Sequence, residues 1–146
     1  MDITTRRLIL VRGLPGSGKT TIAKAIVDGF YHGDPPQDAM CAADDFFYKD
    51  GKYVFDAYTS ASRSLTTAHA DCQRRAFGAM SDGTPLVVVH NTFTTMWEMT
   101  PYLAIAKLHG YTIQVIECKG SFGSVHNVPD EVMDLMAERW EEYNNE

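Results

Sequence analysis

A segment near the N-terminus has the residue types and spacing needed to hold a polyphosphate. Residues 13–20 read GLPGSGKT and fit the pattern G-x-x-x-x-G-K-[ST] at every fixed position. The glycines let successive backbone N–H groups face one anion. Lys19 would bridge the β- and γ-phosphates, and the Thr20 hydroxyl would hold Mg²⁺. The pattern therefore predicts a P-loop for ATP with Mg²⁺. The expected contacts are Gly13, Pro15, Gly16, Ser17, Gly18, Lys19, Thr20 and Thr21.

A pair of carboxylates, Asp44 and Asp45, follows the second predicted strand and could act on the same phosphates. At the carboxyl edge of a sheet, Asp44 would accept or orient the proton of an attacking hydroxyl during transfer of the γ-phosphoryl group. Asp45 could reach Mg²⁺ through water. An exposed acidic turn is the alternative interpretation, but the position after a strand that follows the P-loop favours catalysis by Asp44.

Weaker candidates for binding the phosphoryl acceptor lie further along the chain. Arg63 and Arg74 are eleven residues apart on a predicted helix, so they share a face that could line a groove for a phosphate-bearing acceptor. A solvated helix face explains both arginines equally well. Phe47 offers a ring on which a base could stack. His69 is interpreted as a structural histidine, whereas His90 ends a strand and could contact the acceptor or support the site through a hydrogen bond.

The predicted elements alternate between strands and helices along the chain. Apolar runs predict strands at Arg7–Arg12, Ala39–Ala43, Leu86–His90 and Tyr111–Glu117. Apolar residues at helical spacing predict helices at Lys19–Phe30, Tyr58–Met80, Trp97–His109 and 129–145. Such alternation implies an α/β sandwich of three layers, with helices on both faces of a parallel sheet of four to five strands. Ligands then bind beyond the carboxyl ends of the strands. The loops at those ends are 13–19, 43–56, 91–96 and 118–128.

Length and charge restrict the kind of protein further. The chain has 146 residues, which suits one domain over 1–146, and no apolar run reaches the roughly 18 residues of a membrane span. Three scattered cysteines and the lack of a secretory signal predict a reduced, cytoplasmic setting. The net charge of −6 resides in the segment 130–146, which holds seven acidic residues and one arginine. This distribution argues against a broad basic surface for nucleic acid but allows a local basic groove.

Several blocks of the sequence together resemble the polynucleotide-kinase-like branch of small P-loop kinases, which occur in phages and as domains of larger eukaryotic proteins. The blocks are RGLPGSGKT at 12–20, ADDFF at 43–47, GKYVFD at 51–56, AHADCQRR at 68–75, HNTFT at 90–94, WEM at 97–99, PYLAIA at 101–106 and VHNVP at 125–129. The resemblance implies a P-loop kinase fold and transfer of the γ-phosphoryl group of ATP to a hydroxyl, often the 5′-OH of a nucleic acid. It matches Lys19 and Thr20 to the ATP and Mg²⁺ residues and Asp44 to the general base. A phage-encoded protein in a host cytoplasm would fit this branch.

The chain departs from this branch at three places. Where these kinases carry an arginine after the paired aspartates, it has the aromatic residues 46–48. Their Asp-Asn-Thr-Asn becomes HNTF at 90–93, in which Asn91 is the expected acceptor contact. The lid, 118–128, lacks the arginines that normally neutralise charge on the transferred group, an effect worth about 10³-fold or more in rate. Lys119 is therefore expected to be the main cation of a short lid that closes over the triphosphate, and Arg139 is expected to approach the nucleotide.

Three hypotheses about function follow from the sequence. The first is an ATP-dependent kinase that acts on a nucleic acid or nucleotide, at a 5′-OH or at a hydroxymethyl group on a modified base. The second is a small-metabolite kinase acting on sugars or acids. The third is a nucleotide-binding regulatory module with little turnover, which the shortened lid and the missing arginines favour.

Overall fold

The centre of the fold is a parallel sheet of four strands. A computed structural model describes residues 5–49, 52–53, 62–122 and 128–144 of the chain. Its strands are β1 (Arg7–Arg12), β2 (Met40–Cys41), β3 (Tyr48–Lys49), β4 (Lys52–Tyr53), β5 (Leu86–Asn91) and β6 (Thr112–Glu117). The sheet has the order β2-β5-β1-β6, and β3 and β4 form a separate antiparallel hairpin. Four parallel strands agree with the prediction.

Helices separate the strands, as the sequence predicts. They are α1 (Lys19–Tyr31), α2 (Ser62–Ser81), α3 (Met96–Leu108) and α4 (Asp130–Glu138), and a 3-10 helix spans Ala43–Phe47. On one face of the sheet, Ala23 and Val27 of α1 join Ile9, Val11 and Val88 in one core cluster. On the other face lies a larger cluster of Leu8, Leu10, Ala68, Cys72, Ala76, Val87, Val89, Tyr102 and Ala106. Because successive side chains of a strand alternate, β1 supplies both clusters, and the predicted three layers are confirmed.

The central strands end level with one another at one edge of the sheet. β1 pairs in parallel with β5 on one side and with β6 on the other. Arg12, the last residue of β1, lies opposite Asn91 in one ladder and opposite Glu117 in the other. The loops that follow the three strands therefore meet at this edge, where an open parallel sheet binds its ligands.

The C-terminal part of the chain departs from the prediction. The spacing of apolar residues predicts a helix over 129–145, whereas α4 ends at Glu138 and residues 139–144 form no helix. The ring of Trp140 packs on the guanidinium of Arg12, with 4.0 Å between that group and the ring centroid. The backbone N–H of Glu141 donates to the carbonyl oxygen of Thr94 at 2.7 Å. The predicted helix is wrong at its C-terminal end. Residues 140 and 141 contact residues that are distant in sequence, and the helical spacing of apolar residues carries no information about such contacts.

The remaining boundaries differ less. β2 is shorter than the predicted strand 39–43, since the chain turns there into the 3-10 helix. The predicted loop 43–56 contains that helix and the small hairpin. Residues 58–61 of the predicted second helix and residues 123–127 of the expected lid lie outside the described residues. In the ranges that the structure describes, every helix is too short or too polar to cross a membrane.

Candidate active site

The loop between β1 and α1 forms a backbone cradle. Gly16 and Gly18 have φ values of 81° and 95°, in the left-handed region that glycine tolerates best. Gly13 leaves no room for a side chain, because a Cβ there would lie 2.6 Å from the carbonyl oxygen of Cys118. The backbone N–H of Ser17 donates to the carbonyl oxygen of Leu14 at 3.1 Å. A loop of this shape, directly before a helix, presents backbone N–H groups to an anion.

Lys19 carries its charge at a poorly hydrated position. Its Nζ donates to the carbonyl oxygen of Leu14 at 3.1 Å. Burial lowers the pKa of Lys19 to about 8, and the negative charge of the nearby Asp44 offsets part of this effect. A desolvated ammonium group favours a partner of opposite charge. Lys19 is therefore prepared to receive a polyanion.

One cavity of about 930 Å³ brings most of the predicted site residues together. The predicted residues that line it are Pro15, Gly16, Ser17, Gly18, Lys19, Thr20, Thr21, Asp44, Phe47, Asn91, Lys119 and Arg139. Gly13 belongs to the same loop, although it is not part of the cavity lining. Asp45 and Arg74 do not line the cavity, and the side chain of Arg63 lies outside the described part of the chain.

The two adjacent aspartates of the 3-10 helix have different surroundings. Asp44 borders the cavity, and its charge acts on Lys19. One carboxylate oxygen of Asp45 accepts hydrogen bonds from the backbone N–H of Ala42 at 2.9 Å and from Arg75 at 3.2 Å. Asp45 therefore binds the backbone at Ala42, and these contacts do not support the prediction that Asp45 helps to bind Mg²⁺. Asp44 is the better placed of the two for chemistry.

Two side chains that the sequence predicts to bind the acceptor form hydrogen bonds within the protein instead. Asn91 borders the cavity, but its Oδ1 accepts from the backbone N–H of Ala43 at 2.8 Å and its Nδ2 donates to Cys72 Sγ at 3.6 Å. Arg74 lies on the exposed side of α2 and donates to Asp71 at 2.9 Å. The structure does not bring Arg74 to the cavity, and it gives Asn91 a role inside the protein.

Residues that the sequence analysis did not assign to the site also border the cavity. They include Thr92, Glu98 and His69, the last of which the sequence analysis treats as structural. One oxygen of Glu98 accepts from the Thr94 hydroxyl at 2.5 Å and from the backbone N–H of Thr95 at 2.9 Å. The Thr-x-x-Glu spacing at 95–98 is a capping box. That spacing could have located the Glu98 carboxylate at the start of a helix and next to the loop after β5.

His90 is buried, at 7% exposure, and borders the same cavity. Burial lowers its pKa to about 4, so the imidazole is neutral at pH 7. Its Nε2 has no hydrogen-bond partner among the described residues. His90 is therefore an uncharged polar group where the resembling kinases carry a carboxylate.

A buried arginine at the end of β1 attaches the C-terminal segment to the site. Arg12 is fully buried, and its Nη2 donates to the carbonyl oxygens of Phe93 and Glu141, each at 2.7 Å. Nearby, the Nε of Arg139 donates to the Thr94 hydroxyl at 3.0 Å. Through these bonds the segment after α4 is held against the loop after β5, with Arg139 at the cavity.

The described start of the expected lid lies on the P-loop. The backbone N–H of Phe122 donates to the carbonyl oxygen of Gly16 at 2.8 Å. Lys119 is exposed, and its Nζ lies 3.5 Å from a carboxylate oxygen of Glu117. Lys119 therefore reaches the cavity from a solvent-accessible position.

The residues around the cavity fit a nucleoside triphosphate with Mg²⁺. The P-loop supplies N–H groups and Lys19 supplies a cation, which together match a phosphate chain. Thr20 and Asp44 border the same cavity, and their hydroxyl and carboxylate oxygens are ligands of the kind that Mg²⁺ prefers. The cavity volume of about 930 Å³ is near the upper end of the range for small-molecule sites.

Comparison with known proteins agrees with this geometry. A family model described as an AAA domain matches residues 8–122. Human NEDD4-binding protein 2 is 36% identical over 106 residues, which is 73% of this chain. The chain spans only 5% of the length of that relative.

Two solved structures show the same fold at low identity. One, from Chloroflexus aurantiacus and named as a kinase, is 20% identical with a TM-score of 0.59 and covers 92% of this chain and 65% of its own. The other, an APS kinase of Mycobacterium tuberculosis, is 13% identical with a TM-score of 0.54 and covers 92% of this chain and 93% of its own. These likenesses show a P-loop kinase-like fold.

Proposed function

Because the chain belongs to the AAA domain family, whose model spans residues 8–122, we propose that it is an ATP-dependent kinase acting on a hydroxyl group. The proposed acceptor is a nucleic acid or nucleotide, phosphorylated at a 5′-OH or at a hydroxymethyl group on a base. ATP binds together with Mg²⁺ and supplies the γ-phosphoryl group.

One observation supports the proposal above all: Lys19 and Asp44 border the same cavity. Lys19 is suited to the phosphates, and Asp44 is suited to the proton of an attacking hydroxyl. The Asp44 charge is close enough to raise the pKa of Lys19 against the effect of burial. A cation for one substrate and a base for the other thus share one space, as a reaction that depends on proximity requires.

Each residue has a defined task in the proposed reaction. The backbone N–H groups of the P-loop hold the triphosphate, and Lys19 neutralises charge on its β- and γ-phosphates. Thr20 would hold Mg²⁺, which would supply further positive charge at the phosphates. Asp44 orients the acceptor hydroxyl and takes its proton as the new oxygen–phosphorus bond forms and the bond to the ADP oxygen breaks.

Two further cations border the cavity and compensate for the missing lid arginines. Arg139 is fixed by its hydrogen bond to Thr94 and is assigned to the bound nucleotide. Lys119 is exposed and is assigned to the charge that grows on the transferred group. Charge that develops only in the transition state is where such a cation contributes most to rate.

A kinase for a small hydroxyl compound is the second candidate. Phe47 borders the cavity and offers a surface for a base, which favours a nucleic acid or nucleotide. Arg74, however, lies away from the cavity, while the polar side chains of His69 and Glu98 border it. Such side chains can hydrogen-bond the hydroxyls of a sugar as well as those of a nucleotide.

A label-transfer experiment separates these candidates. The protein is incubated with γ-labelled ATP, Mg²⁺ and a panel of oligonucleotides, nucleosides and sugars. The oligonucleotides carry a 5′-OH, a 5′-phosphate, or hydroxymethylated bases behind a 5′-phosphate. We expect label on the 5′-OH or the hydroxymethylated oligonucleotide and none on the unmodified 5′-phosphorylated one. Label on sugars alone would support the second candidate, and tight ATP binding without transfer to any acceptor would contradict the kinase and favour a nucleotide-binding module.

A further inference from the structure

The backbone that precedes the proposed catalytic base is held by side chains from two other elements. Ala42 follows β2, and Ala43 is the first residue of the 3-10 helix that carries Asp44. Their carbonyl and N–H groups are bound by Arg75 of α2 and by Asn91 at the end of β5. The direction in which the base leaves the sheet is thus set by residues distant in sequence.

Arg75 binds this backbone with a largely buried guanidinium, 15% exposed. Its Nη2 donates to the carbonyl oxygen of Ala42 at 3.0 Å and to Asp45 at 3.2 Å. Its Nε donates to Asp71 at 3.0 Å, and its Nη1 lies 3.6 Å from Asp38. The planar fork of an arginine can serve all these partners together, whereas the single ammonium group of a lysine cannot.

Asn91 binds the other end of the same peptide unit, the N–H of Ala43, from the end of β5. It is buried, at 6% exposure, and its Oδ1 accepts from the N–H of Ala43 at 2.8 Å. The donor bond from its Nδ2 to Cys72 Sγ fixes the orientation of the amide. Because Asn91 is the last residue of a central strand, it transmits the position of the rigid sheet to the residue before Asp44.

We propose that Arg75 and Asn91 are positioning residues that clamp the peptide unit joining Ala42 and Ala43 and so hold the carboxylate of Asp44 at the acceptor hydroxyl. The inference rests on the proposed kinase function. Neither side chain needs to touch a substrate for this role. A displacement of about 1 Å in a reacting group can cost about 10²-fold in rate, so the loss of either contact acts on the transfer step rather than on ATP binding.

The test compares Arg75→Lys with Arg74→Gln in the whole chain. Arg75→Lys keeps the charge but loses the fork, and we expect kcat for label transfer to fall by about 10-fold to 10²-fold while the Kd for ATP changes less than about threefold. Arg74→Gln also removes an ion pair with Asp71, but in the part of the chain that the structure describes Arg74 has no hydrogen bond or ion pair to residues 42–45. The variant should leave kcat near the wild-type value, because Arg74 is exposed and does not line the cavity.

A readout that needs no activity tests the same clamp. In Asn91→Ala the Ala43 amide loses its acceptor, so its hydrogen exchange should accelerate at least tenfold more than that of amides in β1. Titration with ATP counts the folded sites, so a lower kcat per site cannot arise from unfolded protein. Wild-type kcat in Arg75→Lys, an equal loss in Arg74→Gln, or unchanged exchange of Ala43 in Asn91→Ala would overturn the clamp. If the wild-type protein transfers label to no acceptor, the kinase proposal fails and the exchange of Ala43 alone decides on the clamp.

Discussion

At the scale of single residues, the charge of Lys19 depends strongly on its surroundings. Its burial lowers its pKa to about 8, while the neighbouring carboxylate of Asp44 works in the opposite direction. A bound triphosphate raises the pKa of Lys19 again, because an opposite charge nearby favours the protonated amine. Binding of ATP and protonation of Lys19 are therefore coupled.

We predict that ATP affinity falls as the pH rises through the free-state pKa of Lys19. Below about pH 8 the amine is already protonated, and above it each ATP molecule must bind together with a proton. Between about pH 7 and about pH 9.5 the affinity should drop roughly tenfold or more. Isothermal titration calorimetry of the wild type measures this change.

Two variants of Lys19 serve as controls for that measurement. Lys19→Arg keeps its charge over this range, so whatever its affinity, it should show no comparable pH dependence. Lys19→Ala should stay folded and lose tight ATP binding. Equal wild-type affinity at both pH values, or tight binding by Lys19→Ala, would show that the phosphates are held without Lys19.

At this scale the sequence predicts residue types better than it predicts their roles. The position of the P-loop residues and of Asp44 at the cavity could be predicted because both follow directly on a strand. The roles of Asp45 and Asn91 depend instead on Arg75 and Ala43, which approach them only in the folded chain. A carboxylate bound to a backbone N–H looks the same in a sequence as one that faces a metal.

Among the elements, the segment after α4 is the one that ties distant parts of the site together. Trp140 covers Arg12, the backbone N–H of Glu141 donates to the carbonyl oxygen of Thr94, and a carboxylate oxygen of Glu141 accepts from the backbone N–H of Met96 at the start of α3. Arg139 extends from the same segment to the cavity. If α4 continued as a helix, residues 139–141 could not make these contacts. The apolar spacing predicts a helix there because it carries no information about contacts with distant parts of the chain.

We predict that Trp140→Ala lowers the free energy of unfolding by about 1–3 kcal/mol, since it removes a ring from a buried guanidinium. Trp97→Ala is the matched control, because Trp97 is 82% exposed and a surface substitution of this kind changes stability by about 0.5 kcal/mol or less. Urea denaturation of both variants measures the difference. Equal losses of stability would mean that Trp140 does not hold the C-terminal segment.

The start of the expected lid supports a second prediction at this scale. Lys119→Ala should lower the rate of phosphoryl transfer about tenfold while weakening ATP binding less, because the charge it meets grows mainly in the transition state. Lys24→Ala is the control, since Lys24 is an exposed lysine of α1 paired with Asp28 and does not line the cavity. Single-turnover rates and ATP affinities are compared for both. If Lys119→Ala transfers the phosphoryl group at the wild-type rate, Lys119 is not the cation that replaces the lid arginines, and Arg139 is the next residue to test.

For the molecule as a whole, the level ends of β1, β5 and β6 decide where chemistry is possible. The P-loop follows β1, residues 92–95 follow β5 and the described start of the expected lid follows β6, and residues from all three border one cavity. The 3-10 helix after β2 adds Asp44 to it. The alternation of strands and helices predicts this meeting of loops, but the packing of α2 and the C-terminal segment around it requires contacts that no local pattern contains.

The central claim is that the P-loop binds ATP while Asp44 activates the acceptor in the same cavity. The direct test measures ATP binding and single-turnover label transfer in Asp44→Asn and Asp45→Asn, with the acceptor that accepts label from the wild type. We predict that Asp44→Asn binds ATP nearly as well as the wild type and transfers label about 10²-fold or more slowly, as for loss of a positioned base, while Asp45→Asn loses less. Wild-type transfer by Asp44→Asn, or a larger loss in Asp45→Asn, would contradict this account.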